Sequence, residues 1–463
     1  MLRLVLIATL VSACGGPPID SREAELATVI ARADEVLLRS RPSLVAGRYQ
    51  RMAATPFDFY RGNLAVFRHD WELGRTSRSG FLGAVPPVWG LADPHPENFG
   101  VLIASDGTAA IEPNDFDSAD RVPSLFDLRR LVAGLVVAMR QANVQFDSRA
   151  VVIAAVNRYS AVLHARAAGQ PPVRVTVNEP KDTIGADLFK RSRRDLAARA
   201  ELGGLTEVVE GKRRFKRGVL DADEPTQVLA ELPPSVQAEL PSVLRRLGER
   251  DGKLLHAVRE FGSGVASWPR VRLLLLLEGP TDAPGDDVIL EVKELSESAV
   301  AGWYRPALPS TDTPSRVEGA ARRAWARPDA DPRFFATSWL GLPVLVRTES
   351  EAFKGIRVSR MAGDRGTEAA FTALGELCGG LLARVHAGSE PEIVRQIVEQ
   401  IDRGPEVFAD EQAAFAEDYA TQVLADQQHF AAALARLGPT LGIQHDVREQ
   451  APSVAASLFG VAP

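Results

Sequence analysis

The segment Trp89-Gly90-Leu91-Ala92-Asp93-Pro94-His95-Pro96-Glu97-Asn98-Phe99-Gly100 and, a short way on, Ala110-Ile111-Glu112-Pro113-Asn114-Asp115-Phe116-Asp117 decide how this chain is read. Pro94 and Pro96 oppose a helix, so Asp93 and Asn98 belong to a loop that turns side chains outward. Phe99 to Ile103, the polar turn Ser105-Asp106-Gly107 and Ala109 to Ile111 predict a hairpin whose second strand returns Asp115 beside Asn98. A carboxylate and an amide oxygen make a hard, oxygen-only site suited to Mg²⁺, which keeps waters and bridges phosphate oxygens. Asp117 adds a second metal contact. Asp93, on the same loop, would accept the proton of a hydroxyl nucleophile.

Working outward, Ser124-Leu125-Phe126-Asp127 opens an apolar-striped helix through Leu128, Leu131, Leu135 and Met139, which places Asp127 as a helix cap. His95, between its two prolines, either ligates a metal or hydrogen-bonds to brace the loop. Arg61 braces a carboxylate or binds phosphate. Helices are expected over Ala24 to Leu38, Ala150 to Ala168 and Leu240 to Phe261, and from Gly366 to Leu437. Leu374, Leu377, Leu381 and Val385 form a core stripe that carries His386 at its end, where a bond to a carbonyl is expected. Downstream, the glycine-containing loop Gly262 to Ser267, the apolar run Val271 to Leu277, a Pro/Asp/Gly turn and Val288 to Lys293 read as loop, strand, turn and strand. Lys293 stands inside the last strand, and lysine is scarce: seven against forty-seven arginines. It is either a placed cation or a snorkelling strand-end residue beside Glu291 and Glu294.

These motifs carry a resemblance. D-P-H-P-E-N, N-D-F-D and F-D-L-R-R-L-V-A resemble the catalytic half of the aminoglycoside and choline kinase branch of the protein-kinase-like superfamily. With T-P-F-D-F-Y-R-G at 55–62, V-K-E at 292–294, R-V-E-G at 316–319 and L-A-R-V-H-A at 382–387, most of the chain is similar to the bacterial "domain of unknown function 2252" family. The kinase resemblance implies an α+β, two-lobed fold. Because the nucleotide-lobe elements follow the catalytic motifs, the order would be circularly permuted, with a helix-rich larger lobe. It further implies that Asp127 steadies the catalytic loop, that Gly264 belongs to a phosphate-covering loop, and that Lys293 holds the α and β phosphates of ATP. Glu318, on the segment Pro314 to Trp325, would pair with Lys293 or stay on a solvated helix face. The resemblance also shows departures: Ala266 and Pro269 stand where the glycine loop has glycines, weakening phosphate cradling by backbone amides, and Ala92 replaces the first residue of G-D-x-H.

Composition sets the remaining bounds. With 463 residues, 45% hydrophobic and 25% charged, the chain is ordinary for a globular protein. Its net charge of −6 gives no reason to expect nucleic acid. Basic clusters at Lys190 to Arg194 and Lys212 to Arg217 are expected around a helix, as a solvated face or an anion contact. Met1 to Cys14, with a short apolar run and small residues before the cysteine, resembles a bacterial lipoprotein signal. On that reading Cys14 is acylated, the protein is membrane-anchored in the cell envelope, and Cys378 has no disulfide partner. The expected division is a signal over 1–13, a tether over 14–22, and the catalytic-loop part of the larger lobe over 23–170. A helical, charged connection over 171–255, a small nucleotide lobe over 256–350 and a helical remainder over 351–463 follow. Residues from Pro306 to Pro314 read as a linker. Three functions are carried forward: an ATP- and Mg²⁺-dependent phosphotransferase acting on an unknown acceptor, a pseudokinase-like binding lipoprotein, and a metal-dependent hydrolase using Asp93, His95, Asp115 and Asp117. Export from the cytosol and the altered glycine loop favour the second over the first.

Overall fold

The computed structural model describes residues 20–172, 174–176, 183–219, 227–247, 252–262, 264–281, 283–297, 300, 312–443 and 453–460. Cys14, its preceding signal and most of the Pro306 to Pro314 linker lie outside them. The fold mixes helix and sheet. Among the described residues no helix is long and apolar enough to cross a membrane.

A helical body forms the larger part. Its centre is the helix Ser124–Gln141, buried on all sides from Ser124 to Met139, as expected of a helix that is apolar nearly all round. Ser148–Ala167, Glu368–His386 and the 33-residue Pro405–Leu437 pack around it. The N-terminal helix expected as one piece is two, Ser21–Ala33 and Glu35–Ser40. They break at Asp34, whose carboxylate is taken by Arg48 at 2.5 Å.

The strands, in chain order, are β1 (Val88–Gly90), β2 (Phe99–Ile103), β3 (Ala109–Pro113), β4 (Asp120–Val122), β5 (Thr206–Val209), β6 (Lys212–Phe215), β7 (Gly218–Val219), β8 (Val228–Glu231), β9 (Leu254–Phe261), β10 (Arg272–Leu277), β11 (Val288–Glu294), β12 (Phe335–Trp339), β13 (Leu342–Glu349) and β14 (Lys354–Gly355). β2 and β3 form the expected hairpin, with Val101 opposite Ile111. A seven-stranded antiparallel sheet runs in the order β12-β13-β11-β10-β9-β8-β7. Its β9, β10 and β11 make a meander. The chain then passes through the helix Thr313–Ala324 and returns as β12 and β13, with β13 pairing to β11.

Two expectations are corrected here. Leu240 to Phe261 is not a helix: among its described residues only Leu240–Leu244 is helical, and Leu254–Phe261 is β9. The apolar β10 offers Leu254 to Arg259 a ladder of backbone partners, with Leu274 opposite Val258 and Leu275 opposite Ala257. Pairing with a buried neighbour therefore overrides the local helical pattern. The sheet also takes in β7 and β8 from the segment expected to be a helical connection.

Alternation along β10 and β11 explains the sheet's two faces. Leu273, Leu275, Leu290 and Val292 enter one core with Val236, Leu240 and Val243. On the opposite face Leu274, Leu276 and Ile289 are apolar. Nearer the glycine-containing loop, that same face carries Arg272, Glu291 and Lys293. This charged end faces the loop Leu91 to Asn98 and the residues after β3, and a cleft of about 450 Å³ lies between them.

Candidate functional site

The loop from Leu91 to Asn98 is held from below by the buried helix Ser124–Gln141. Asp127 is fully buried, and its Oδ2 accepts the Leu91 amide at 2.7 Å. Gly90 makes this approach feasible, because a Cβ there would stand 2.5 Å from that same oxygen. Asp127 does not cap its own helix: the capping residue is Pro123, with no side-chain bond. The carboxylate instead reaches across to the loop. Its Oδ2 also meets His386 Nε2 at 3.2 Å, and His386 Nδ1 meets the Tyr159 hydroxyl at 2.8 Å. The imidazole expected to bind a carbonyl therefore joins a buried carboxylate and a phenol, because its helix ends inside the body rather than at the surface.

One turn along the same helix, Arg130 donates from Nε to Asp93 Oδ1 at 2.8 Å and lies over the Tyr60 ring, 3.7 Å from its centroid. Burial raises the Asp93 carboxyl to about 6, although Arg130 opposes the shift. Ala92, just before it, has φ of +60°. This left-handed geometry favours glycine, and a Cβ there costs roughly 1–2 kcal/mol. Asn98 is buried and does not turn outward, as a free loop would allow: its Nδ2 returns to the Asp93 carbonyl at 2.6 Å. That leaves its Oδ1 as the free acceptor. The Asn98 carbonyl accepts the Asn114 amide at 3.1 Å, so the hairpin sets Asn114 and Asp115 beside it.

His95 is buried, with its ring edge-on to Phe57 and its Nδ1 without a hydrogen-bond partner. It braces the loop by packing rather than by hydrogen bonding. Burial, Arg61 and Arg130 hold its pKa well below the ordinary value. Arg61 braces a carboxylate: it pairs with Glu97 at 2.8 Å, whose Oε1 accepts the Val358 amide at 2.8 Å.

Across the cleft, Lys293 lies 2.8 Å from Asp117 and 3.6 Å from Asp115. Two elements separated by more than 170 residues thus bring one lysine and two aspartates together. Burial opposes ionisation of Asp117, yet Lys293 and Arg270 hold its carboxyl below the usual range. Lys293 is buried rather than snorkelling. Glu318 does not pair with it. The carboxylate of Glu318 binds Arg246 at 3.0 Å, Arg322 at 3.0 Å and the Ala336 amide at 3.1 Å. Its helix lies at the edge strand β12, where Val317, Ala320 and Ala321 share a core with Ala336 and Leu345, and these three partners occupy the carboxylate there. Beside Lys293, Glu291 is held by Arg272 at 3.0 Å and by Arg347.

Gly264 has φ of +77° and lines the cleft with Val265, Ala266 and Ser267. The loop closes on itself, its Trp268 and Arg270 amides donating to the Val265 and Ser267 carbonyls. The basic clusters are largely neutralised. Arg191 pairs with Asp187, Arg194 with Asp195, Arg214 with Glu207 and Arg217 with Glu231. Much of the second cluster is strand β6, not a helix flank.

Asn98, Asp115 and Asp117 offer two carboxylates and an amide oxygen, a donor set that suits Mg²⁺ with waters and phosphate oxygens completing its shell. Among the described residues no three His, Cys, Asp or Glu side chains gather as a metal cluster. Sequence reasoning missed Arg130, Arg270, Arg272 and Arg347. Arg130 stood within the quoted F-D-L-R-R-L motif, where two arginines inside an apolar stripe were the available signal.

A family model described as "Uncharacterized protein conserved in bacteria (DUF2252)" matches residues 39–433. The chain belongs to this family. The match takes in the cleft on both sides, from Arg61 to Arg360, and ends within the helix Pro405–Leu437. No curated protein and no solved structure matches the chain.

Proposed function

We propose that the cleft binds a Mg²⁺–nucleotide and that the protein is a phosphotransferase of kinase-like, circularly permuted design. The observation that carries this reading is the meeting of Lys293 with Asp115 and Asp117 at 3.6 and 2.8 Å, across a cleft roofed by the Gly264 loop. In kinases a lysine on the third strand of the small sheet serves the phosphates, a glycine loop covers them, and an aspartate and an asparagine hold the metal. Lys293 is on the third strand of the β9-β10-β11 meander, and the Gly264 loop joins the first two of those strands.

With no nucleotide between them, Lys293 and the two aspartates neutralise one another. Entry of a nucleotide would give Lys293 to phosphate oxygens. Asp115, Asp117 and Asn98 would hold Mg²⁺, which when bound offsets the charge on the phosphates. An acceptor hydroxyl oxygen forms a bond to the terminal phosphorus, the bond from that phosphorus to the β–γ bridging oxygen breaks, and the nucleoside diphosphate leaves. Asp93 takes the hydroxyl proton. A carboxyl near 6, anchored by Arg130, is placed for this role at neutral pH.

A second reading, a pseudokinase-like binding protein, draws on one observation: Glu318 is engaged by Arg246 and Arg322 rather than by Lys293. Turnover separates the two. Release or transfer of the terminal phosphate, ended by Asp93→Ala while nucleotide affinity stays within about threefold, supports the phosphotransferase. Transfer retained in Asp93→Ala would remove Asp93 as the base. Nucleotide binding with no turnover in the unaltered protein would leave the binding reading.

A further inference from the structure

A second cavity, of about 740 Å³, lies beneath the N-terminal helices Ser21–Ala33 and Leu64–Glu72. It joins the cleft along a shared wall that includes Asp93, Arg61, Ser118 and Arg270. Arg270 is the last residue of the glycine-containing turn, its amide bonded to the Ser267 carbonyl at 2.9 Å. Its guanidinium makes no hydrogen bond and no ion pair among the described residues. Three other cations on these walls are satisfied: Arg48 by Asp34, Arg61 by Glu97 and Lys293 by Asp117. Arg270 feels the charges of Asp117 and Glu294 and, more weakly, of the Arg48 and Asp34 pair, without an ion pair to any of them. A partly buried cation left without a counter-ion is costly unless an anion completes it.

Resting on the reading of the cleft as a nucleotide site, we propose that Arg270 holds the terminal phosphate of the bound nucleotide from the side opposite Lys293, at the opening through which the second cavity reaches Asp93. The chemistry it recognises is the γ-phosphoryl group, with three oxygens to share and a charge that spreads during transfer. Arg270 would then act within the chain as supplied arginines act in other phosphoryl transfers, stabilising charge on the group in flight.

The test is calorimetric titration of the full protein with Mg²⁺–ATP and Mg²⁺–ADP, for Arg270→Ala and Arg270→Lys beside the unaltered chain. The expected result is an ATP affinity lowered about tenfold or more in Arg270→Ala with ADP affinity changed less than twofold, and partial recovery in Arg270→Lys. Equal loss for both nucleotides, or no loss for either, overturns the role given to Arg270 while leaving the cleft as a nucleotide site. Failure of the unaltered protein to bind either nucleotide overturns the cleft reading itself, and the Arg270 proposal with it. Should Arg270→Ala not fold, the ATP-to-ADP affinity ratio of Arg270→Lys decides, since a lysine cannot restore two-point contact with a phosphate.

Discussion

Replacing Asp127 by alanine should loosen the loop that carries Asp93, and the geometry sets the size of the effect. Asp127 Oδ2 accepts two bonds, from the Leu91 amide at 2.7 Å and from His386 Nε2 at 3.2 Å, and both partners are buried. Each polar group stranded in the interior costs about 1–3 kcal/mol. Two such losses agree with the roughly 3–5 kcal/mol for breaking a buried pair from one side. The expected loss for Asp127→Ala is therefore ~3–5 kcal/mol, read from urea unfolding. Asparagine should behave differently. Because Asp127 Oδ1 has no partner and Oδ2 takes both bonds, an asparagine oxygen in the Oδ2 place keeps both acceptor contacts. Asp127→Asn should cost only about 1 kcal/mol, within the range for one altered hydrogen bond. Hydrogen exchange at the Leu91 amide provides a local readout, faster in the alanine variant and near normal in the asparagine variant. A loss below ~1 kcal/mol for Asp127→Ala, or equal losses for both variants, would refute this account of how the loop is held.

Three further outcomes follow from the same geometry. Asp93 has a folded pKa of about 6, above its ordinary 3.8, so the folded state holds its proton more tightly. The stability this contributes is complete below the ordinary value and is lost as pH rises through about 6. Any phosphoryl transfer should rise with pH over that window as the base ionises, and a rate that is flat from pH 5 to 8 counts against Asp93 as the base. Ala92, at φ of +60°, should accept glycine with a gain of about 0.5–1 kcal/mol in thermal unfolding, after allowance for glycine's greater unfolded-state freedom; a destabilised variant would contradict the strain assigned there. Glu318→Ala should cost ~1–2 kcal/mol through the Ala336 amide and two arginines. It should leave nucleotide affinity unchanged, and a tenfold drop would place Glu318 in the phosphate site after all.

Local periodicity made the β2–β3 hairpin, the Ser124–Gln141 helix and the C-terminal helices legible in the sequence, because each buries a face with its own repeat. Leu254–Phe261 was misread because its strand identity comes from β10, a partner that no local pattern announces. Lys293 stood out against a background poor in lysine. Arg130 and Arg270 did not, since forty-seven arginines give no contrast and only the fold shows which of them are buried or unpaired. Glu318 was placed by analogy. That Arg246, Arg322 and the Ala336 amide take its carboxylate at the edge strand is a tertiary fact, and it decides against the pairing with Lys293.

The most direct test of the nucleotide cleft is the melting temperature of the protein titrated with ATP, with and without Mg²⁺, beside Asp115→Ala and Lys293→Ala. Binding to the folded state alone should add about 2.7 kcal/mol of stability at a hundred times the dissociation constant. The account predicts a rise that needs Mg²⁺, disappears in both variants and persists in Glu318→Ala. No rise in the unaltered protein, or a rise that both variants retain in full, would contradict it.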